Sequence, residues 1–235
     1  MLHDNITKYL EALSTDLIPT DKVIGVMISG GFDSTVLWHT IYGECLKRNQ
    51  ECRPFTIPKV DGAITYSNRM LEWSCDHYNR KAFYPYRRPQ RTRVVGYVDW
   101  TRDQSVNPFD GPEVAAQGRS GVKEVLDEGY ADIVYSGSNP YPPDYEKLSD
   151  FHTPGPRNKS SETPWAHIIK QPFEDLDMTK DQLVELAHEM GWLDDISAVT
   201  HSCTEKIRGR CGYCFWCKER EWAFKVTGHK DTGIN

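Results

Sequence analysis

Val23-Ile24-Gly25-Val26-Met27-Ile28-Ser29-Gly30-Gly31-Phe32-Asp33-Ser34-Thr35 decides the fold of this chain. A mostly apolar run of strand length leads into a hydroxyl-glycine-glycine turn, and Asp-Ser-Thr then opens an amphipathic segment. Paired glycines let the backbone take positive φ and come close to a ligand. The amides of such a turn, continued by a helix N-terminus, point donors at one spot and suit an anion. Ser29, Ser34 and Thr35 add hydroxyl donors, and Asp33 is placed to hold a magnesium ion or to cap the helix. No lysine follows the glycines, so this is not the loop that grips a γ-phosphate in P-loop NTPases.

Outward from this stretch the pattern alternates. The first strand is 23–28, and the helix 33–48 turns Val36, Leu37, Ile41 and Cys45 inward. Before it, Ile6, Leu10, Leu13 and Leu17 recur at helical spacing, which predicts a helix over 4–17 ended by Pro19. After it come a strand at 53–57, a helix at 64–78, a strand at 81–86, an edge strand or hairpin at 94–100 and a helix at 112–128 closed by Gly129. Residues 131–136 and 167–170 read as further strands. Thr179 with Gln182 reads as a capping box opening a helix to Met190, and Gly191 ends it. Strands alternating with helices predict an α/β fold, a parallel sheet with helices on both faces.

Cys203, Cys211, Cys214 and Cys217 form the pattern Cys-x7-Cys-x2-Cys-x2-Cys. A Cys-x2-Cys turn brings two thiolates onto one metal, and four thiolates suit a closed tetrahedral zinc site. Three of them stand too near in sequence to pair comfortably with one another as disulfides. A redox dithiol, unrelated free thiols or an iron–sulfur cluster would use the same residues. Structural zinc is the reading, because four protein ligands leave no open position for chemistry. His201, two residues before Cys203, then has no vacancy to fill and is expected beside the cluster or at the surface. Cys45, on the apolar stripe of its helix, is expected in the core.

Composition bounds the rest. The 235 residues suffice for one α/β domain, or one plus a small appendage. Residues 1–198 are expected to form the nucleotide domain and 199–235 the four-cysteine segment with a C-terminal helix. No apolar stretch approaches the ~20 residues that span a bilayer. The first residues lack the basic-then-apolar layout of a signal peptide, and the cysteine usage suits a reducing cytoplasm. A net charge of −6 argues against general nucleic-acid binding. Residues 80–102, however, interleave Arg87, Arg88, Arg91 and Arg93 with Tyr84, Tyr86, Tyr97 and Trp100. Such a mixture fits single-stranded nucleic acid, an anionic small molecule with a stacked ring, or a solvated basic face. Residues 139–166 carry six prolines and read as a loop following the strand 131–136. At the carboxyl end of a sheet strand, a loop of that length is expected to be a lid. Asn139, Tyr141, Asp144 and Arg157 are its candidates to read a substrate.

Ser29-Gly30-Gly31-x-Asp33-Ser34 resembles the signature of the PP-loop ATP pyrophosphatases. The resemblance implies an adenine-nucleotide alpha-hydrolase-like, Rossmann-like fold that uses ATP and Mg2+. Ser29, Gly30, Gly31, Asp33, Ser34 and Thr35 would hold the nucleotide, with Asp33 and Ser34 catalytic. Joined to Gly209-Arg210-Cys211-Gly212-Tyr213-Cys214-Phe215-Trp216-Cys217-Lys218-Glu219-Arg220, the loop is similar to one branch of that superfamily, the 7-cyano-7-deazaguanine synthases. Two departures leave the substrate open. The Gly-Arg-Asn turn usual before the central helix is replaced by Phe109-Asp110-Gly111-Pro112-Glu113, and the Gly-Tyr-Pro-Asp run is only echoed by Tyr141-Pro142-Pro143-Asp144.

This resemblance implies ATP-dependent adenylation of a deazapurine carboxylate, 7-carboxy-7-deazaguanine, and its conversion by ammonia to the amide and then the nitrile. Residue 2 is Leu rather than Cys and no length is left for a glutaminase domain, so free ammonia or a separate donor is expected. The cofactors are ATP, Mg2+ and Zn2+. No membrane partner is expected, a nucleic-acid partner is disfavoured, and a homodimer is allowed. The alternatives are a tRNA-modifying PP-loop enzyme that adenylates a base, a variant that stops at the amide, and a non-catalytic zinc protein with a vestigial nucleotide site.

Overall fold

A computed structural model describes residues 3–57, 62–81, 93–94, 121–149, 159 and 167–233. In chain order these form α1 (Asp4–Ser14), β1 (Ile24–Met27), α2 (Phe32–Lys47), β2 (Cys52–Thr56), α3 (Ala63–Lys81), β3 (Arg93–Val94), α4 (121–127) and β4 (Ile133–Ser136). A turn of 3-10 helix at Tyr145–Lys147 precedes β5 (Ile169–Lys170), α5 (Pro172–Asp175), α6 (Lys180–Glu189), α7 (Leu193–Val199) and α8 (Phe215–Thr227).

The sheet runs β3-β2-β1-β4-β5 and every pair is parallel. Register places Ile24 between Cys52 and Ile133, and Met27 between Phe55 and Ser136. Alternation along the strands divides the core. Ile24, Val26, Ile133 and Tyr135 face the larger cluster, shared with α1, α2, α3, α6, α7 and α8. Phe55 and Val134 face the other way, onto Val122 and Val125 of α4. Helices therefore cover both faces, as alternating strand and helix segments require. From β1 the chain builds outward through β2 and β3, then returns to lay β4 and β5 on β1's other side. The order reverses between β1 and β4, and in such sheets the crevice beyond the carboxyl ends of those strands is where ligands bind.

Several boundaries differ from the sequence reading. Helix α1 stops at Ser14, because the Ser14 and Thr15 hydroxyls turn back onto the Glu11 carbonyl and three successive amides converge on Ala12 O. Helix α3 continues through Lys81, so no strand begins there; 82–86 lie outside the described residues. Arg93 and Val94 form an edge strand parallel to β2, and 95–100 lie outside the described residues. Of the helix expected at 112–128, residues 121–127 are described and helical, with Gly129 at φ +63° behind them. Thr179 is the residue before α6, but no capping box forms: its hydroxyl donates to Asp181, and Gln182 reaches His3. The short α5 and the helix α7 were not anticipated. Cys45 is fully buried in the core, as expected. Among the described residues no helix is long and apolar enough to cross a membrane.

Candidate functional site

The crevice between β1 and β4 is where the sequence's glycine turn arrives. Gly30 takes φ +75°, and a Cβ there would lie 2.7 Å from the backbone nitrogen of Ser67 and against the Tyr66 side chain. Only glycine lets β1 turn so close under α3. Gly31 is the residue before α2 and makes no side-chain cap, and the first-turn amides have no intrahelical partner, as at any helix N-terminus. The Ser29 and Ser34 hydroxyls sit 3.0 Å apart, and Ser34 Oγ also accepts from Ser29 N and donates to Gly31 O. Thr35 is fully buried and donates to Gly31 O at 2.8 Å, so it braces the turn from inside. From the other side, a Cβ on Gly137 would lie 2.9 Å from Ser34 Cα, so β4's end abuts the first turn of α2.

Asp33, the second residue of α2, does not cap the helix. Its Oδ2 is 3.1 Å from the ammonium of Lys180, the first residue of α6. Lys180 is 2% exposed and also ion-pairs with Glu219 of α8, itself fully buried. Asp33 Oδ1 and Glu219 Oε1 are buried with no hydrogen-bond partner, and each is a ready acceptor for a donor or a cation. Sequence reasoning missed Lys180 and Glu219. The trace available was a lysine at a helix N-terminus, where a cation is electrostatically disfavoured unless something pairs with it.

The four cysteines converge. The Sγ atoms of Cys203, Cys211, Cys214 and Cys217 all lie within 4.8 Å of one another, and Cys211 and Cys217 are 3.9 Å apart. Tetrahedral ligation at the ordinary zinc–sulfur length of about 2.3 Å puts sulfurs about 3.8 Å apart, so the donor set fits one such ion. A hydrogen bond from Cys217 holds the Cys214 thiol down to about 4 against its burial, with help from the backbone amides of Thr204 and Cys217. The same bond, with burial, pushes Cys217 up. One thiolate is thus already favoured, and thiolates are the form that ligates.

The cluster is tied to the glycine turn. His201 N donates to Gly30 O at 2.9 Å, its Nε2 meets Gly209 O at 2.9 Å, and its ring stacks on Tyr66 at 4.3 Å. It is buried, not at the surface, and the donor atoms that converge are those of the four cysteines. Arg220, 1% exposed, donates to Ser197 O, to Thr200 and to both oxygens of Asp231, and lies 5.5 Å over the Phe32 ring. It serves carbonyls at the end of α7 rather than the crevice.

The substrate candidates scatter. Asn139 is fully buried just past β4 and donates to Pro140 O. Tyr141 stacks on Tyr145 and meets Phe215 edge-on at 5.1 Å. Asp144 is exposed, at φ +58°, and pairs with Lys147. Arg157 lies outside the described residues, as does most of the expected lid. Within its described residues, 139–149 dock on the cysteine segment through Tyr141 and through Ser149, whose hydroxyl donates to Tyr213 O, and Lys159 pairs with Asp177.

The chain superposes on the U34-tRNA thiolase NcsA from Methanococcus maripaludis with its 4Fe-4S cluster, over 96% of this chain and 71% of that one. The TM-score is 0.50 and the identity 17%. Similarity extends at lower scores to NMN synthetase from Francisella tularensis, covering 97% of this chain and 86% of that one (TM-score 0.42, 12% identity). It extends also to NAD+ synthetase from Burkholderia pseudomallei, covering 96% and 90% (TM-score 0.36, 12% identity). The fold is that of the adenine-nucleotide alpha-hydrolases. At such identities the likeness is one of fold. No protein-family profile matches the sequence, and no curated protein matches it.

Proposed function

We propose that this chain is an ATP-dependent PP-loop enzyme that adenylates a substrate oxygen and releases pyrophosphate. The observation that carries the reading is the Ser29–Thr35 turn: a helix N-terminus with no side-chain cap, a positive-φ glycine and paired hydroxyls at the point where the strand order reverses. Such a cradle binds an oligophosphate as a unit and aligns it with little covalent chemistry for the protein to perform. Asp33 Oδ1, buried without a partner, is the acceptor that suits Mg2+.

The finer reading is synthesis of 7-cyano-7-deazaguanine. A substrate carboxylate oxygen attacks the α-phosphorus of ATP, the bond to the β-phosphate oxygen breaks, and pyrophosphate leaves. Ammonia then attacks the acyl carbon, and AMP departs to leave an amide. A second ATP adenylates the amide oxygen, with release of pyrophosphate and one N–H proton, and loss of AMP and the remaining N–H proton leaves the nitrile. Support comes from the loop and cysteine segment occurring together, and from sulfurs spaced for one ion. Four irons in a cubane would spread the same thiolates wider, so zinc is the metal we assign. The free thiols are consistent with a reducing cytoplasm.

A second reading, a tRNA-modifying enzyme, draws on the tRNA thiolase among the structural neighbours and on the basic, aromatic segment 80–102. The two separate cleanly. Incubation with ATP, Mg2+, ammonia and 7-carboxy-7-deazaguanine is expected to give AMP, pyrophosphate and a product with the mass of the nitrile. A product that stops at the amide mass would shorten the assignment, and ADP with orthophosphate would end the PP-loop reading. Salt-sensitive retention on tRNA, with a broad visible absorbance in anaerobically purified protein, would favour the second reading.

A further inference from the structure

The glycine turn has no lysine of its own, yet the fold delivers one. Lys180 arrives from α6, 147 positions along the chain from Asp33, and places its ammonium 3.1 Å from the second residue of α2. That helix starts directly behind the glycine turn with no side-chain cap, so the ammonium is bound to a carboxylate of the helix's first turn. Its environment is costly. A lysine 2% exposed is kept charged only if carboxylates surround it, and here Asp33 and Glu219 do so. Glu219 has no other ion-pair partner among the described residues, and its second oxygen is buried without a hydrogen bond. The pair bridges α6 and α8, but it is not what forms the apolar core between them. Leu183, Val184, Ala187, Ala223 and Phe224 already fill the main core there.

We propose that Lys180 is the cation that takes hold of the nucleotide's polyphosphate, with Glu219 as the positioning residue that keeps it aimed at the cradle. The ammonium is a compact point charge with several donors, suited to phosphate oxygens that arrive beside a carboxylate. Glu219 stands two residues beyond the last cysteine of the cluster, so the cysteine segment contributes a charge to the phosphate site. This rests on the ATP reading above.

The test is titration calorimetry of Mg·ATP, and separately of Mg·pyrophosphate, into wild-type protein and the variants Lys180→Met, Glu219→Gln and the double variant, each with its melting temperature and bound metal measured. Lys180→Met is expected to weaken both ligands at least about tenfold, the usual worth of a charge-assisted hydrogen bond. Glu219→Gln should weaken them less while retaining the full complement of metal. Single variants strand a buried charge and should melt early. The double variant removes both charges and is expected to recover melting temperature without recovering affinity. Recovery of both would make the pair a purely structural one and overturn the proposal, as would wild-type affinity in Lys180→Met. A wild-type protein that binds neither ligand would overturn the ATP reading and this inference together.

Discussion

Gly30 shows how much of the site depends on one residue's lack of a side chain. Its φ of +75° and the close backbone of Ser67 leave no room for a Cβ. Gly30→Ala is expected to cost about 1–3 kcal/mol in backbone strain alone, and to abolish nucleotide binding by pushing the turn away from α3. Thermal unfolding and ATP calorimetry on the same preparation would check both. Asp33→Asn tests a different property, since it keeps the shape and removes the charge. Turnover to AMP and pyrophosphate should fall on the order of a hundredfold, and the melting temperature should drop as well, because buried Lys180 loses one of its two carboxylates. The place of Asp33 and Ser34 at the turn was legible from their position behind paired glycines. Lys180 and Glu219 were not, because a charged residue in a helix carries no mark of its distant partner.

Helix α8 is the element that joins the parts. Its N-cap is Cys214 and its first turn carries Cys217, while Glu219 and Arg220 follow on buried positions. Arg220 and Arg210 both bind Asp231, clamping the chain beyond α8 against α7. Burial opposes ionisation of Asp231, but the hydrogen bonds and charge of Arg220, with those of Arg210, win and hold its carboxyl below the usual range. A carboxyl so depressed contributes stability above its unfolded value, about pH 4, and loses it as pH falls through the lower folded value. Asp231→Asn is therefore expected to cost about 3 kcal/mol at neutral pH, the typical effect of breaking a buried ion pair. The gap in denaturant midpoint between wild type and variant should close at acid pH; a gap that persists there would show that shape, not charge, is what Asp231 supplies. The match of Arg220 to a family pattern located this residue from sequence, but its carbonyl partners on α7 needed the packed helices.

At the scale of the molecule, the cysteine cluster lies between two segments that follow the carboxyl ends of the strands. On one side His201 ties it to Gly30, and on the other Tyr213 receives the hydroxyl of Ser149. Removing the metal proposed for the cluster, or replacing Cys214 with Ser, is expected to free both 139–149 and 201–217 while the core around α1, α2 and α3 stays folded. Limited proteolysis should then cut first in those two segments, with ATP binding lost in parallel. Because thiolates bind metal in competition with protons, release is expected as pH falls well below neutral. Elemental analysis should find one zinc per chain. Protein without any metal, or a Cys214→Ser variant that keeps a full equivalent, would return these thiols to a redox role.

By itself the sequence determined what is local: the strand that ends in paired glycines, the helix that starts behind them, the alternation that makes a parallel sheet, and four closely spaced cysteines that could hold a metal. Each is written in neighbouring residues, through hydrophobic period, backbone freedom and ligand spacing. Tertiary structure alone decided which side chains meet across the crevice. Lys180 finds Asp33, His201 finds Gly30, and Asp144 turns away to solvent beside Lys147. A buried charge and a backbone carbonyl carry no sequence signature for their partners. Pairing is imposed only when helices from distant parts of the chain close on one core and every charge they bury must be matched.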